Sequence, residues 1–362
     1  MSNTDKMYDI ILLGFGSVGT HLVKLLLKDN GKLPKVRVVG ISDSSGGVYH
    51  KDGLPLESIL KWKEEGNPLN SYVSMDDSVE HFSCSTTLCS NVPCDILLDA
   101  TPVNLENGGE SMSCIRSALS KGTNIVLANK APLVLAYQDL MMLASLKPVS
   151  QVLFSATVCG GLPVVNVGRR DLCCGRIRSV RGIFNSTSNF ILSQMENGNS
   201  RKEALQIAME RGIAEADPTL DVEGIDTANK LTIIANSILE YSVTLADVSV
   251  EGISNVTTLD MEEAKRDGKV IRLVASATLL EPQEDIGLNP IPRYSLSVAP
   301  KRVEARSFLG SCQETDMCVV FESSEFETIS MKTNEQGVYP TSAAMIRDCT
   351  HIIKALETRN TN

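Results

Sequence analysis

A doubly wound α/β half, followed by an α+β half with a mixed sheet, is the architecture this sequence predicts. Three observations predict it. A short apolar run, a glycine turn and an amphipathic helix open the chain at 8–28. Apolar strands and helical stretches then alternate to about residue 133, the rhythm of a parallel sheet. From about 151 this rhythm gives way to glycine turns, longer helices and short strand-like runs. The 362 residues suffice for two domains, placed at 1–150 and 151–337.

The opening stretch is "YDIILLGFGSVGTHLVKLLLK". Its turn, Gly14-Phe15-Gly16-Ser17-Val18-Gly19, fits the dinucleotide-binding fingerprint of the Rossmann type. Gly14 permits the tight turn, Gly16 lets the backbone approach a pyrophosphate, and Gly19 lets helix and strand pack closely. The helix that follows offers unpaired N–H groups to phosphate oxygens. A second strand, "VRVVGISD", ends in Asp43, near the usual distance for an acid that holds ribose hydroxyls. An acid there repels a 2′-phosphate and so leans toward NAD. Ser44, Ser45 and Lys51 leave NADP open. The strands "DILLDATP" and "TNIVLANKAPL" continue the sheet. Ligands of such sheets bind beyond the carboxyl ends of the strands, which is where Thr101 and Asn129-Lys130 fall.

In the second half, "SRKEALQIAMERG" reads as a helix stopped by Gly212. The chain then gathers Glu215, Asp217, Asp221, Glu223 and Asp226 before one lysine, Lys230. "IDTANKLTIIANSILE" reads as a helix starting near Asp226, with a core stripe of Leu231, Ile234 and Ile238. Lys230 lies one turn above Asp226 on the same face. The pair reads in two ways. It is either a surface ion pair or part of a site in which acids bind an amine and a lysine handles a proton. Beyond 250, "IRLVASATLL", "RYSLSVAP" and "MCVVFES" suggest a mixed sheet and a dimer surface.

Composition excludes several function classes. The net charge of −10, with no basic cluster, argues against nucleic acid or an anionic membrane as partner. No apolar run of about eighteen residues suggests a membrane span. The polar start "MSNTDKMYD" does not read as a targeting segment. Ten scattered cysteines in a chain this large point to a reduced, cytoplasmic protein. Cys84, Cys89 and Cys94 recur at five-residue spacing, which is not a recognised zinc pattern, and Cys94 leads into an apolar strand.

Taken together, these residues resemble the homoserine dehydrogenase family. "ALQIAMERGIAEADPTLDVEGIDTANKL" carries most of the likeness, and "DATP", "LANKAPL", "ATVCGGLP" and "RGIFNSTSNFIL" follow the family's order. The resemblance implies an NAD(P)-linked interconversion of aspartate 4-semialdehyde and homoserine by a homodimer. It implies a first domain completed by a C-terminal helix at 338–362. Lys230 is then the proton donor or orienting group at the aldehyde oxygen, and Asp226 holds it. Glu215, Asp221 and Thr187 bind the substrate, the acids by its ammonium. Lys130 lies between nicotinamide and substrate as a second proton-transfer candidate, and Thr101 touches the nicotinamide. The backbone carbonyls of Val158 and Gly160 would bind a monovalent cation, typically sodium.

The chain departs from the family pattern at four places. Ser155 stands where a glutamate helps with the cation, so sodium is in doubt. Ile213 stands where the family has Tyr or Phe, and Ser186 where it has Gly, both near the substrate. The loop before the C-terminal helix is reduced to "NEQGVYPTSAAMIRD". The chain also ends soon after that helix, which leaves no room for a regulatory ACT domain or for threonine feedback through one. Two alternatives to homoserine chemistry stay open: a different small amino alcohol as substrate, or a dinucleotide-binding sensor without catalysis.

Overall fold

The computed structural model describes residues 6–28, 31, 33–74, 78–146, 150–281 and 292–360. The chain divides into two compact units, Met1–Gly160 with Val338–Asn362, and Gly161–Gly337.

The first unit is built on a seven-stranded sheet. Its strands are β1 (Tyr8–Leu13), β2 (Val36–Asp43), β3 (Gly46–Tyr49), β4 (Glu80–Phe82), β5 (Ile96–Asp99), β6 (Asn124–Leu127) and β7 (Val152–Leu153). They lie in the order β4-β3-β2-β1-β5-β6-β7. β2, β1, β5, β6 and β7 are parallel. β3 and β4 turn back as an antiparallel edge. Every residue of β5 and β6 is buried, as expected of parallel strands covered on both faces. β1 sits at the point where strand order reverses, between β2 and β5. This places the turn after β1 and the loop after β5 side by side at the carboxyl edge. The C-terminal helix, Tyr339–Asn360, packs Met345, Ile352 and Ile353 into the core formed by Ile10, Leu12 and Leu22. The expected boundary at 150 falls short of this unit, because β7 pairs with β6 and extends the first sheet.

The second unit carries a six-stranded mixed sheet. Its strands are β8 (Ile177–Ile183), β9 (Ser249–Val250), β10 (Lys269–Leu279), β11 (Tyr294–Glu304), β12 (Asp316–Ser323) and β13 (Thr328–Asn334), in the order β13-β12-β8-β10-β11-β9. All pairs are antiparallel except β9 with β11. The helix Arg201–Glu210 starts on a capping box formed by Ser200 and Glu203, and Gly212 follows its end at φ 67°. The helix Ile225–Ser237 differs from the striped helix expected. Every residue from Thr227 to Ser237 is buried, so it is a central helix with no solvent face. Ile238, placed in the stripe, caps its end and is half-exposed.

Among the described residues, no helix is long and apolar enough to cross a membrane. No cluster of His, Cys, Asp and Glu among them could hold a metal ion.

Candidate active site

Lys230 is the most enclosed charged group of the acidic stretch, at 9 % exposure. Its Nζ donates to Asp226 Oδ2 at 2.6 Å and to the carbonyl of Phe184 at 2.5 Å. That carbonyl lies just past the end of β8. The next residue, Asn185, caps the helix Ser186–Glu196, its Oδ1 accepting from Ser188 N at 2.8 Å. This cap fixes the amide's orientation, so Nδ2 points at the acids. It donates to Asp221 Oδ1 at 2.6 Å and to Asp226 Oδ2 at 2.9 Å. Lys230, Asp226, Asn185 and Asp221 therefore form one network that joins two segments distant in sequence, Phe184-Asn185 and the stretch from Asp221 to Lys230. Burial, then the charge of Asp226, pushes the carboxyl of Asp221 above its usual range. Thr187 is buried beside this network and donates to the carbonyl of Ile213 at 3.1 Å.

The five acids do not all converge. Glu215 is exposed. Asp217 accepts from the amide and hydroxyl of Thr219, a local turn. Glu223 accepts from Ser254. Only Asp221 and Asp226 reach Lys230's surroundings. A solvated i,i+4 pair would not show a lysine and an aspartate with side chains 11 % and 14 % exposed. A buried pair retains its charges only where other polar groups satisfy both members, which Asn185 and Phe184 O do here.

The glycine turn of the first unit meets the steric demands of its fingerprint. A Cβ on Gly14, whose φ is 88°, would lie 2.4 Å from Ala100 O, at the end of β5. A Cβ on Gly19 would lie 2.0 Å from Gly14 O. A Cβ on Gly16 would meet nothing within 4 Å, which is the surface a pyrophosphate needs. The helix Ser17–Leu27 has no acid in its first turn to compete with an anion. Phe15 is buried in the core and Val18 packs against it, so these two have backbone rather than side chains to offer a cofactor. Ser17 is exposed. These residues fit a dinucleotide.

Asp43 ends β2 with its side chain engaged. Ser45 donates through its amide at 2.8 Å and its hydroxyl at 2.6 Å, and Lys63 forms a close ion pair with Oδ2. Burial alone would push this carboxyl up; Lys63 and Ser45 bring it below its usual range. At the ends of β5 and β6, Asp99 is wholly buried. It accepts from the Thr101 amide at 3.0 Å, the Thr101 hydroxyl at 2.6 Å and the Ser111 hydroxyl at 2.5 Å. Asn129 donates to Thr101 Oγ1 at 3.0 Å and accepts from Ala131 N at 3.0 Å. Lys130 then begins the helix Ala131–Ser145 as its half-buried N-cap.

Val158 and Gly160 flank Cys159, a non-glycine residue at φ 56°. Ser155, just before them, is buried and bound to the C-terminal helix. Its amide donates to Asp348 Oδ2 at 2.8 Å and its hydroxyl to Asp348 Oδ1 at 2.7 Å.

These geometries can be set beside known proteins. Homoserine dehydrogenase of Methanocaldococcus jannaschii is 33 % identical over 351 residues, covering 95 % of this chain and 98 % of its own. Residues 163–350 match the family description "Homoserine dehydrogenase". The chain belongs to the homoserine dehydrogenase family. The NAD(+)-dependent homoserine dehydrogenase of Pseudomonas canavaninivorans is a further relative, 30 % identical over 95 % of this chain and 96 % of that one. A crystal structure of a putative homoserine dehydrogenase from Archaeoglobus fulgidus superposes with a TM-score of 0.81 at 30 % identity, covering 96 % and 99 % of the two chains. Residues 2–146 also match the description "Glutamate/Leucine/Phenylalanine/Valine dehydrogenase".

Within this family member, sequence reasoning missed three groups: Asn185, Asp99 and Lys63. Asn185 had a signal, since "NSTSNF" offers an N-cap residue before a helix. Asp99 also had one, as an acid ending an apolar strand. Lys63 had none, because a solvated helix carries lysines of the same kind.

Proposed function

We propose that this chain catalyses the NAD(P)-linked interconversion of L-aspartate 4-semialdehyde and L-homoserine. The observation that carries the proposal is the buried network of Lys230, Asp226, Asn185 and Asp221 in a member of this family. The cofactor supplies or accepts the hydride. In the reductive direction, Lys230 gives a proton to the aldehyde oxygen as that oxygen gains charge. In the oxidative direction it takes the hydroxyl proton. Asp226 holds the ammonium in place. Asp221 and Glu215 receive the substrate's ammonium, and Thr187 shapes the same pocket. Lys130 is the second candidate for proton transfer. Gly14–Gly19 cradle the pyrophosphate, Asp43 meets the adenosine ribose, and Thr101 the nicotinamide. Val158 and Gly160 would lend carbonyls to a sodium ion. Two acids are bonded along that turn, and both are engaged: Asp348 accepts from the amide and hydroxyl of Ser155, and Glu335 Oε1 accepts from the Gly161 amide at 2.6 Å.

The protein acts as a homodimer in the cytoplasm on this reading. Ten thiols, none in a disulfide, fit a reducing compartment. A different small amino alcohol is the second reading. It is favoured by Ile213 and Ser186, which flank the buried Thr187. A steady-state assay of the purified protein with homoserine and NAD or NADP tests both. Cofactor reduction with homoserine supports the proposal. Turnover only with other amino alcohols supports the second reading, and binding of cofactor without turnover of any of them supports a sensor.

A further inference from the structure

Thr101 stands half-buried at the carboxyl end of β5, against the glycine turn: a Cβ on Gly14 would lie 2.6 Å from its amide nitrogen. A threonine hydroxyl has one hydrogen to donate and two lone pairs to accept with. Two of these three places are taken inside the protein. The hydrogen goes to Asp99 Oδ1 at 2.6 Å. One lone pair receives Asn129 Nδ2 at 3.0 Å. The Asn129 amide cannot be turned round, because its Oδ1 accepts from Ala131 N at 3.0 Å. Asp99 receives the Thr101 amide and the Ser111 hydroxyl as well, and so takes hydrogen bonds from three donors. Three converging donors suit a carboxylate, which can only accept. Burial opposes them by pushing the carboxyl up. Asp99 and Asn129 are 0 % and 1 % exposed, so neither has solvent to turn toward.

We propose that Asp99 and Asn129 set the polarity of Thr101, so that its hydroxyl meets the cofactor as an acceptor only and recognises the N–H of the nicotinamide carboxamide. The inference rests on the reading of Gly14–Gly19 as the cofactor site. The carboxamide N–H₂ is the donor on the nicotinamide ring, and it complements the one lone pair that Thr101 has left. A ligand carrying a ketone there would bring an acceptor against an acceptor. The same arrangement removes Thr101 from proton transfer, since its only hydrogen is committed to Asp99. Asp99 and Asn129 are positioning residues in this scheme, and Thr101 is the residue that touches the ligand.

The test is calorimetric binding of three probes: NAD, 3-acetylpyridine adenine dinucleotide and ADP-ribose. The second probe replaces the carboxamide with an acetyl group, and the third lacks the nicotinamide. Wild-type protein should bind NAD about five- to tenfold more tightly than the acetylpyridine analogue, the scale of one hydrogen bond left unmade. Thr101→Val, which keeps the shape, should bind the two within about twofold of each other. ADP-ribose should bind both proteins alike, which shows that the remainder of the site is intact. Folded Asp99→Ala removes the acceptor of the Thr101 hydrogen, which frees the hydroxyl to donate as well as accept, so the preference for NAD should narrow. Equal binding of NAD and the analogue by the wild type would overturn the inference. So would a preference that survives in Thr101→Val or is unchanged in Asp99→Ala. If ADP-ribose and NAD both fail to bind the wild type, the cofactor reading falls first and takes the inference with it.

Discussion

Asn185→Asp replaces the donor that links the acids by a third carboxylate. The cap is preserved, because aspartate accepts from Ser188 N as asparagine does. What changes is the atom 2.6 Å from Asp221 Oδ1 and 2.9 Å from Asp226 Oδ2. Two unit charges about 3 Å apart at an effective dielectric of about 20 repel by about 5 kcal/mol. Lys230 already serves Asp226 and cannot neutralise all three. One carboxyl must therefore hold a proton. At pH 8 this costs about 5 kcal/mol for a group whose ordinary value is about 4, and at pH 5.5 about 2 kcal/mol. A carboxyl with its pKa raised in the folded state adds stability at low pH, and that stability is lost as pH rises through the raised value. The variant should thus lose about 3 kcal/mol between pH 5.5 and pH 8 relative to wild type. That corresponds to a Tm gap about 6–12 °C wider at pH 8. Thermal melts of both proteins at the two pH values measure it. A gap that does not depend on pH would refute the convergence of Asn185 on both acids.

Three further outcomes follow from the same geometry. Asp43→Ala should weaken NAD binding and improve NADP binding, because Lys63 is released from its ion pair; titration of both cofactors checks this, and equal loss for both would contradict it. Asp221→Asn should raise Tm at pH 7.5 but not at pH 4, since burial and Asp226 make its charge costly, while KM for homoserine rises about tenfold or more from the lost charge-assisted contact; melts and kinetics together would expose a Tm that does not move. Activity should change little between sodium-free buffer and a sodium buffer of matched ionic strength, because the two acids bonded along the turn of Val158 and Gly160, Asp348 and Glu335, already accept from Ser155 and from the Gly161 amide; a saturable sodium requirement would show that the carbonyls bind the ion regardless.

How much of this was legible in the sequence varies with the range of the interaction. The glycine turn was readable because Gly14, Gly16 and Gly19 each answer a local steric demand, and the structure returns those demands at Ala100 O and Gly14 O. The pairing of Asp226 with Lys230 was readable because helical periodicity places them one turn apart. Their burial was not. It comes from the packing of the whole helix Ile225–Ser237, and a mixture of Thr, Asn and Ile gives no clear stripe to betray a buried helix. Asn185 reaches Asp221 and Asp226 across 36 and 41 residues, and Ser155 reaches Asp348 across 193. No period or motif encodes such separations. Charge density alone did not separate Asp217, which accepts from Thr219 in a local turn, from the acids beside Lys230. Asp43 was placed correctly at the end of β2, but its partner Lys63 comes from another helix and alters what the acid can do.

On the proposed reading, Lys230 is a chemical group of the site and not a buried structural ion pair. Steady-state kinetics of Lys230→Ala, with and without added methylammonium, address it most directly. The kcat with homoserine should fall about a hundredfold or more, the scale of a lost acid–base group. Cofactor affinity should stay within about twofold, since the pyrophosphate turn lies in the other unit. Added methylammonium should restore part of kcat by supplying the missing amine. A near-normal kcat in Lys230→Ala would contradict the claim, and proton transfer would then belong to Lys130.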